Sequence, residues 1–178
     1  MKVGITGANG FVAWHLSCYL HSLSDSVAEI RLATRDTFSD DNELDKFVDR
    51  LDFIVHLAGV NRASDAEIVL GNVQPAEKLV GALERMRAKP MLLFSSSTHA
   101  INPVSTYGET KKAISNLFQD WASRNKTHCI NLIIPHIFGE YGRPYYNSGV
   151  ATFCHEIANG IEPQVNPDGQ LELVHVQD

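Results

Sequence analysis

Five short runs of Val, Ile, Leu and Phe, separated by longer stretches with apolar residues at helical spacing, restrict this 178-residue chain more than anything else in it. Lys2–Thr6, Glu29–Thr34, Asp52–Leu57, Met91–Ser95 and Cys129–Ile134 lack polar alternation, as strands buried on both faces do. Between them, Phe11–His21, Asn42–Arg50, Asp65–Arg87 and Tyr107–Arg124 carry apolar residues at helical spacing, as in Ile114, Leu117, Phe118 and Trp121. Strand and helix in alternation predict a doubly wound α/β fold, a parallel sheet with right-handed crossovers.

After Gly139 the pattern loosens into a polar and aromatic stretch holding Gly142, Pro144, Tyr145, Tyr146, Asn147 and Ser148. Val150–Ala158 then reads as a helix and Leu171–Val176 as a further strand. We expect residues 1–140 to form the sheet domain and residues 141–178 to begin a smaller lobe, incomplete at Asp178.

Charge and cysteine usage narrow the function. Fifteen Lys+Arg stand against twenty-one Asp+Glu, a formal net charge of −6 with no separate basic cluster, which argues against a nucleic-acid partner. Cys18, Cys129 and Cys154 are odd in number and form no Cys-x-x-Cys pair, so they are expected as buried, reduced thiols. Glycine cuts the apolar run at Met1–Gly7 before the ~7–15 residues of a signal sequence. No apolar stretch approaches the ~18 residues of a membrane span, so a cytoplasmic protein without a membrane partner is expected. The histidines are scattered without a His-Glu-x-x-His arrangement, and no metal is expected.

The first strand runs into Thr6-Gly7-Ala8-Asn9-Gly10-Phe11-Val12-Ala13, which opens the first helix. Gly7 permits a tight turn, Gly10 lets backbone approach a pyrophosphate, and free N–H groups at the helix start favour the anion. A nucleotide is therefore expected against Gly7, Asn9, Gly10, Phe11 and Val12. Arg35, just beyond the second strand, is placed to accept a 2′-phosphate and tilts the choice to NADPH, while Asp36 keeps NAD open.

Tyr107 and Lys111 lie four residues apart, on one face of a helix. A free phenol has a pKa of about 10, and a nearby ammonium is expected to lower it toward proton exchange. The preceding strand ends in Ser95-Ser96-Ser97-Thr98, at the edge where α/β sheets bind ligands. A serine hydroxyl there and Tyr107 point to hydride transfer at an alcohol or sugar carbon. His56 is read as a packing and hydrogen-bonding residue of its strand.

The glycine loop, His56–Gly59, Asn72, the serine run and Tyr107…Lys111 together resemble the extended short-chain dehydrogenases/reductases, the nucleotide-sugar epimerase/dehydratase family. Phe53–Arg62, Leu70–Val73 and Tyr146–Cys154 more narrowly resemble CapF-type enzymes of capsule polysaccharide synthesis. The resemblance implies a Rossmann-like domain that reduces a UDP-linked N-acetyl-4-keto-6-deoxy hexose with NADPH, on the route to UDP-N-acetyl-L-fucosamine. It assigns Tyr107 as acid/base, Lys111 as its tuner and ribose anchor, and Ser97 as the hydroxyl partner, with Ser96 and Thr98 as alternatives. It adds Leu57, Ala58, Gly59 and Asn72 to the cofactor site and Ser97, His136, Asn147 and Ser148 to the substrate site.

Several points stay open at this level. Thr98-His99 stands where dehydratases carry an acidic pair, which disfavours dehydration, but epimerase and reductase share their proton and hydride steps. A dinucleotide-binding module without chemistry and a truncated, inactive fragment are the other readings. The short stretch before Asp52 leaves out the strand usual there. A homodimer through the helices at Asp65–Arg87 and Tyr107–Arg124 is possible under the resemblance, as is coverage of both within one chain.

Overall fold

The computed structural model describes residues 1–166 and 168–178, which divide into two compact units, Met1–Ile133 and Ile134–Asp178. The first runs β1 (Lys2–Thr6), α1 (Phe11–Ser22), β2 (Glu29–Ala33), α2 (Arg35–Ser39), α3 (Asp41–Val48), β3 (Phe53–His56), α4 (Asp65–Arg85), β4 (Met91–Ser97), a 3-10 turn (Thr98–Ala100), α5 (Thr106–Asn125) and β5 (Cys129–Ile134). Its strands form one parallel sheet in the order β2-β1-β3-β4-β5, a Rossmann-like arrangement. Strand order reverses between β1 and β3, so the crevice at their carboxyl ends is where such sheets take ligands.

Local chemistry sets the helix boundaries. Ser64 caps α4 and exchanges hydrogen bonds with Glu67, whose carboxylate accepts from the Ser64 N–H at 2.9 Å. Ser105 caps α5, its hydroxyl accepting from Gly108 N–H at 3.2 Å. Among the described residues no strand lies between β2 and β3. Helices α2 and α3 fill that interval, and Arg31 on β2 holds the end of α3 by donating to the carbonyls of Lys46, Phe47 and Asp49 at 2.9, 3.2 and 2.6 Å. The guanidinium thus satisfies carbonyls that a helix end leaves open.

The two sheet faces are covered unequally. One carries Ile54, Leu92 and Phe94 against Leu44, Phe47, Leu79, Leu83, Phe118 and Trp121 of α3, α4 and α5. The other holds a smaller cluster of Val3, Ile5, Val27 and Val55 under α1, with Ala13 at the helix–strand contact and only 1% exposed. Sequence pattern predicts strands buried on both faces, and β5 departs from it: Ile130, Leu132 and Ile133 are 43%, 39% and 52% exposed. The cysteine expectation is also corrected, since Cys18 and Cys154 are exposed and only Cys129 is partly covered.

The second unit contains β6 (His136–Phe138), α6 (Gly149–Ala158) and β7 (Leu173–His175). Strands β6 and β7 pair in parallel, with Ile137 opposite Val174. Three residues are too few to show periodicity, and β6 has no signature in the sequence. Among the described residues, no helix is long and apolar enough to cross a membrane.

Candidate active site

The loop between β1 and α1 is a cradle with its side chains removed. Gly7 has φ +70°, and a Cβ there would stand 2.8 Å from the Ala58 nitrogen, so only glycine lets the turn lie against the loop after β3. Gly10 N–H closes the turn on the Gly7 carbonyl at 2.8 Å. Gly10 is also the N-cap of α1, without a side-chain cap bond and without an acidic residue in the first turn. The first N–H groups of α1 thus lack a competing carboxylate, with Asn9 beside them exposed and Phe11 and Val12 half-buried. These features fit the diphosphate of a dinucleotide.

Thr6 ties the cradle to the neighbouring strand. Its hydroxyl accepts from the Leu57 and Ala58 N–H groups, both at 3.2 Å. With its acceptor capacity used, it donates to His56 Nδ1 at 3.0 Å. His56 is therefore the neutral Nε2–H tautomer, and burial, followed by the charge on Lys111, pushes its pKa down to about 3. The packing and hydrogen-bonding part read for His56 is what the structure displays.

Beyond His56, Gly59 and Asn72 close the loop after β3. Asn72 is fully buried on α4 and donates to the carbonyls of Val60 at 2.6 Å and Ile68 at 2.7 Å. Its Oδ1 would lie 2.5 Å from a Cβ at position 59, so Gly59 allows the amide to clasp the loop.

Across the crevice, Ser97 stands at the end of β4 and Tyr107 in the first turn of α5, and the Ser97 hydroxyl is the side chain that acts on the phenol to favour its phenolate. Of the three candidate hydroxyls, Ser97 is the one that shifts the Tyr107 phenol. Ser97 also accepts from His99 N–H at 3.3 Å. Lys111, one helical turn on, is 4% exposed and donates to the Ser95 carbonyl at 2.9 Å. Its ammonium lies 5.7 Å from the Tyr107 ring centre and 4.9 Å from that of Phe94.

The electrostatics differ from the expectation that Lys111 lowers the phenol. Burial raises the Tyr107 pKa above 10, with the Ser97 hydroxyl pulling against it. Burial likewise drives Lys111 down to about 8. The ammonium hydrogen-bonds to a backbone carbonyl and not to the phenol, and so Tyr107 holds its proton at neutral pH.

Gly108 has no part in the sequence reading, yet it sets this geometry. A Cβ on Gly108 would stand 2.4 Å from the His99 carbonyl oxygen. Without a side chain there, α5 packs onto the 3-10 turn and brings Tyr107 to Ser97. Glycine at the third position of a helix, directly after the tyrosine, was the available signal.

Arg35 is exposed and stands at the first position of α2, a helix absent from the sequence reading. Thr34 before it donates its N–H to Thr37 Oγ1 at 3.1 Å, which fixes the turn carrying the guanidinium. In the second unit, His136 and Asn147 are exposed. Ser148 caps α6, accepting from Ala151 N–H at 3.2 Å. No group of three metal-ligating side chains occurs among the described residues.

A parallel sheet with this strand order, a bare glycine turn and a Ser–Tyr–Lys cluster at its carboxyl edge defines a dinucleotide-dependent class. The chain belongs to the NAD dependent epimerase/dehydratase family, which matches residues 3–178. It is 35% identical to a UDP-2-acetamido-2,6-beta-L-arabino-hexul-4-ose reductase from Pseudomonas aeruginosa over all of its own length and 47% of the relative's. It also resembles the crystal structure of the capsular polysaccharide assembling protein CapF from Staphylococcus aureus, with a TM-score of 0.82, 36% identity and coverage of 100% of this chain and 46% of that one. The chain therefore spans about half the length of these relatives. UDP-glucose 4-epimerase from Thermotoga maritima shares the fold at TM-score 0.84 and 19% identity, over 99% of this chain and 70% of that one.

Proposed function

We propose that this chain carries the reductase activity of a nucleotide-sugar enzyme, transferring hydride from NADPH to the keto carbon of a UDP-linked N-acetyl-4-keto-6-deoxy hexose in the cytoplasm. The gathering of Ser97, Tyr107 and a buried Lys111, whose ammonium lies 5.7 Å from the Tyr107 ring centre, carries this reading. The reductase from P. aeruginosa, matched along the whole chain, supports the sugar class. A product of the UDP-N-acetyl-L-fucosamine type is the finer proposal.

When bound, the nicotinamide supplies the hydride. The protein supplies the rest. Ser97 and Tyr107 hold the carbonyl oxygen between two hydroxyls, and Tyr107, protonated at neutral pH because it is buried, gives its proton to that oxygen. Lys111 stabilises the phenolate left behind and offers its remaining N–H groups to ribose hydroxyls. Gly7 and Gly10 admit the diphosphate to the start of α1, and Leu57, Ala58 and Gly59 form the facing wall. Arg35 is the residue proposed to favour NADPH over NADH. His136, Asn147 and Ser148 are proposed substrate contacts.

The test is NADPH consumption with a UDP-4-keto-6-deoxy-N-acetylhexose, comparing the chain with Tyr107→Phe. We expect turnover to fall by at least about 100-fold, the lower range for a positioned proton donor, while NADPH binding stays nearly unchanged. Retained turnover in the variant removes Tyr107 from the chemistry. Strong NADPH binding with no turnover in the parent chain favours the binding-module reading.

A further inference from the structure

We propose that His99 returns the proton to Tyr107 after each turnover, a role that rests on the reductase reading above. The 3-10 turn holding His99 is bolted on two sides. Its N–H donates to Ser97 Oγ at 3.3 Å, and its carbonyl oxygen packs where a side chain at Gly108 would stand, 2.4 Å from the missing Cβ. Backbone constraints of this kind fix where the side chain starts. The imidazole itself is exposed and sits edge-to-face with the Tyr107 ring, the centroids 6.1 Å apart.

Among the described residues, no hydrogen bond or ion pair engages this ring. On α5 it faces Tyr107, with the Lys111 ammonium behind the phenol, and β4 has no ionisable residue in Met91–Ser97. Lys111 is 4% exposed and committed to the Ser95 carbonyl, which makes it a poor route to bulk water. The exposed His99 ring lies edge-to-face against the phenol ring, and imidazole is the side chain best suited to gaining and losing protons near neutral pH.

The step balances without another reactant. Hydride reaches the keto carbon and the Tyr107 O–H bond breaks as the sugar oxygen gains the proton. An N–H bond of the His99 imidazolium then breaks as the Tyr107 O–H bond re-forms, and the imidazole takes a proton from water. One proton is drawn from solvent for each ketone reduced.

The experiment compares the chain with His99→Ala and His99→Asn, using NADPH and a UDP-4-keto-6-deoxy-N-acetylhexose. A single turnover, which starts with Tyr107 already protonated, is expected to run at the parent rate. Steady-state turnover is expected to fall roughly 100-fold, the lower end for a placed proton donor, and added free imidazole is expected to restore it in His99→Ala. Parent-like steady-state turnover in both variants overturns the proposal. So does an equal loss of single and multiple turnover without imidazole rescue, which marks His99 as packing alone. If the parent chain oxidises no NADPH with this substrate, the reductase reading itself fails and His99 falls with it.

Discussion

The hydroxyl of Thr6 donates to Nδ1 of His56 across 3.0 Å, joining the ends of β1 and β3 where their cradle begins. The same oxygen receives the N–H groups of Leu57 and Ala58. Thr6→Val keeps the shape and removes all three bonds, leaving buried polar groups open. We expect a loss of about 2–4 kcal/mol, since each unsatisfied buried group costs roughly 1–3 kcal/mol, together with weaker NADPH binding. Denaturant unfolding and a fluorescence titration check both, and Thr6→Ser should recover most of each.

Burying the Lys111 ammonium costs stability. Bringing a buried ammonium from 10.5 down to about 8 corresponds to about 3 kcal/mol of destabilisation at neutral pH. Below pH 8 both folded and unfolded chains hold the proton and that cost is complete. Between pH 8 and 10.5 the unfolded chain binds more protons, so stability rises with pH, and above 10.5 the cost is gone. Lys111→Met should therefore be more stable than the parent by roughly 1–3 kcal/mol at pH 7, with the advantage fading across that window. Turnover should be lost. A stability difference that does not change with pH would contradict the argument.

Alanine is the better helix former by about 1 kcal/mol, yet Gly108→Ala should destabilise. The added methyl meets the His99 carbonyl oxygen at 2.4 Å, and either the 3-10 turn or α5 must move. Overpacking of this kind costs typically 1–3 kcal/mol. Because the displaced parts carry Ser97 and Tyr107, turnover should drop more than NADPH affinity. Thermal unfolding beside steady-state kinetics separates the two effects.

Arg35→Ser tests cofactor choice. A hydrogen bond to a charged group is worth about 1.5–3 kcal/mol, so NADPH should bind roughly 10- to 100-fold more weakly. NADH binding should barely change. Equal losses for both cofactors would mean that the residue supports the fold and reads no phosphate.

Much of this molecule is legible from neighbours in sequence. Strand and helix positions follow from apolar spacing, and the first unit's sheet matches the five runs that announce it. Helix α2 escapes notice because five residues are too short for a period to emerge. The exposure of β5 escapes it too: Ile130, Leu132 and Ile133 look like core residues in a list of letters, and only the packing shows them open.

At the site the division follows contact distance along the chain. The glycine turn and the four-residue step from Tyr107 to Lys111 are local, so backbone periodicity alone places a bare glycine turn at a helix start and a phenol and an amine on one helix face. Which serine meets Tyr107, why Gly108 must lack a side chain, and how Thr6 spends its one proton on His56 depend on segments far apart in sequence. So does the sign of the shift at Tyr107, where burial outweighs the opposing pull of Ser97. Spacing determines which groups share a face; only packing sets how much water each one keeps, and that decides where its proton stays.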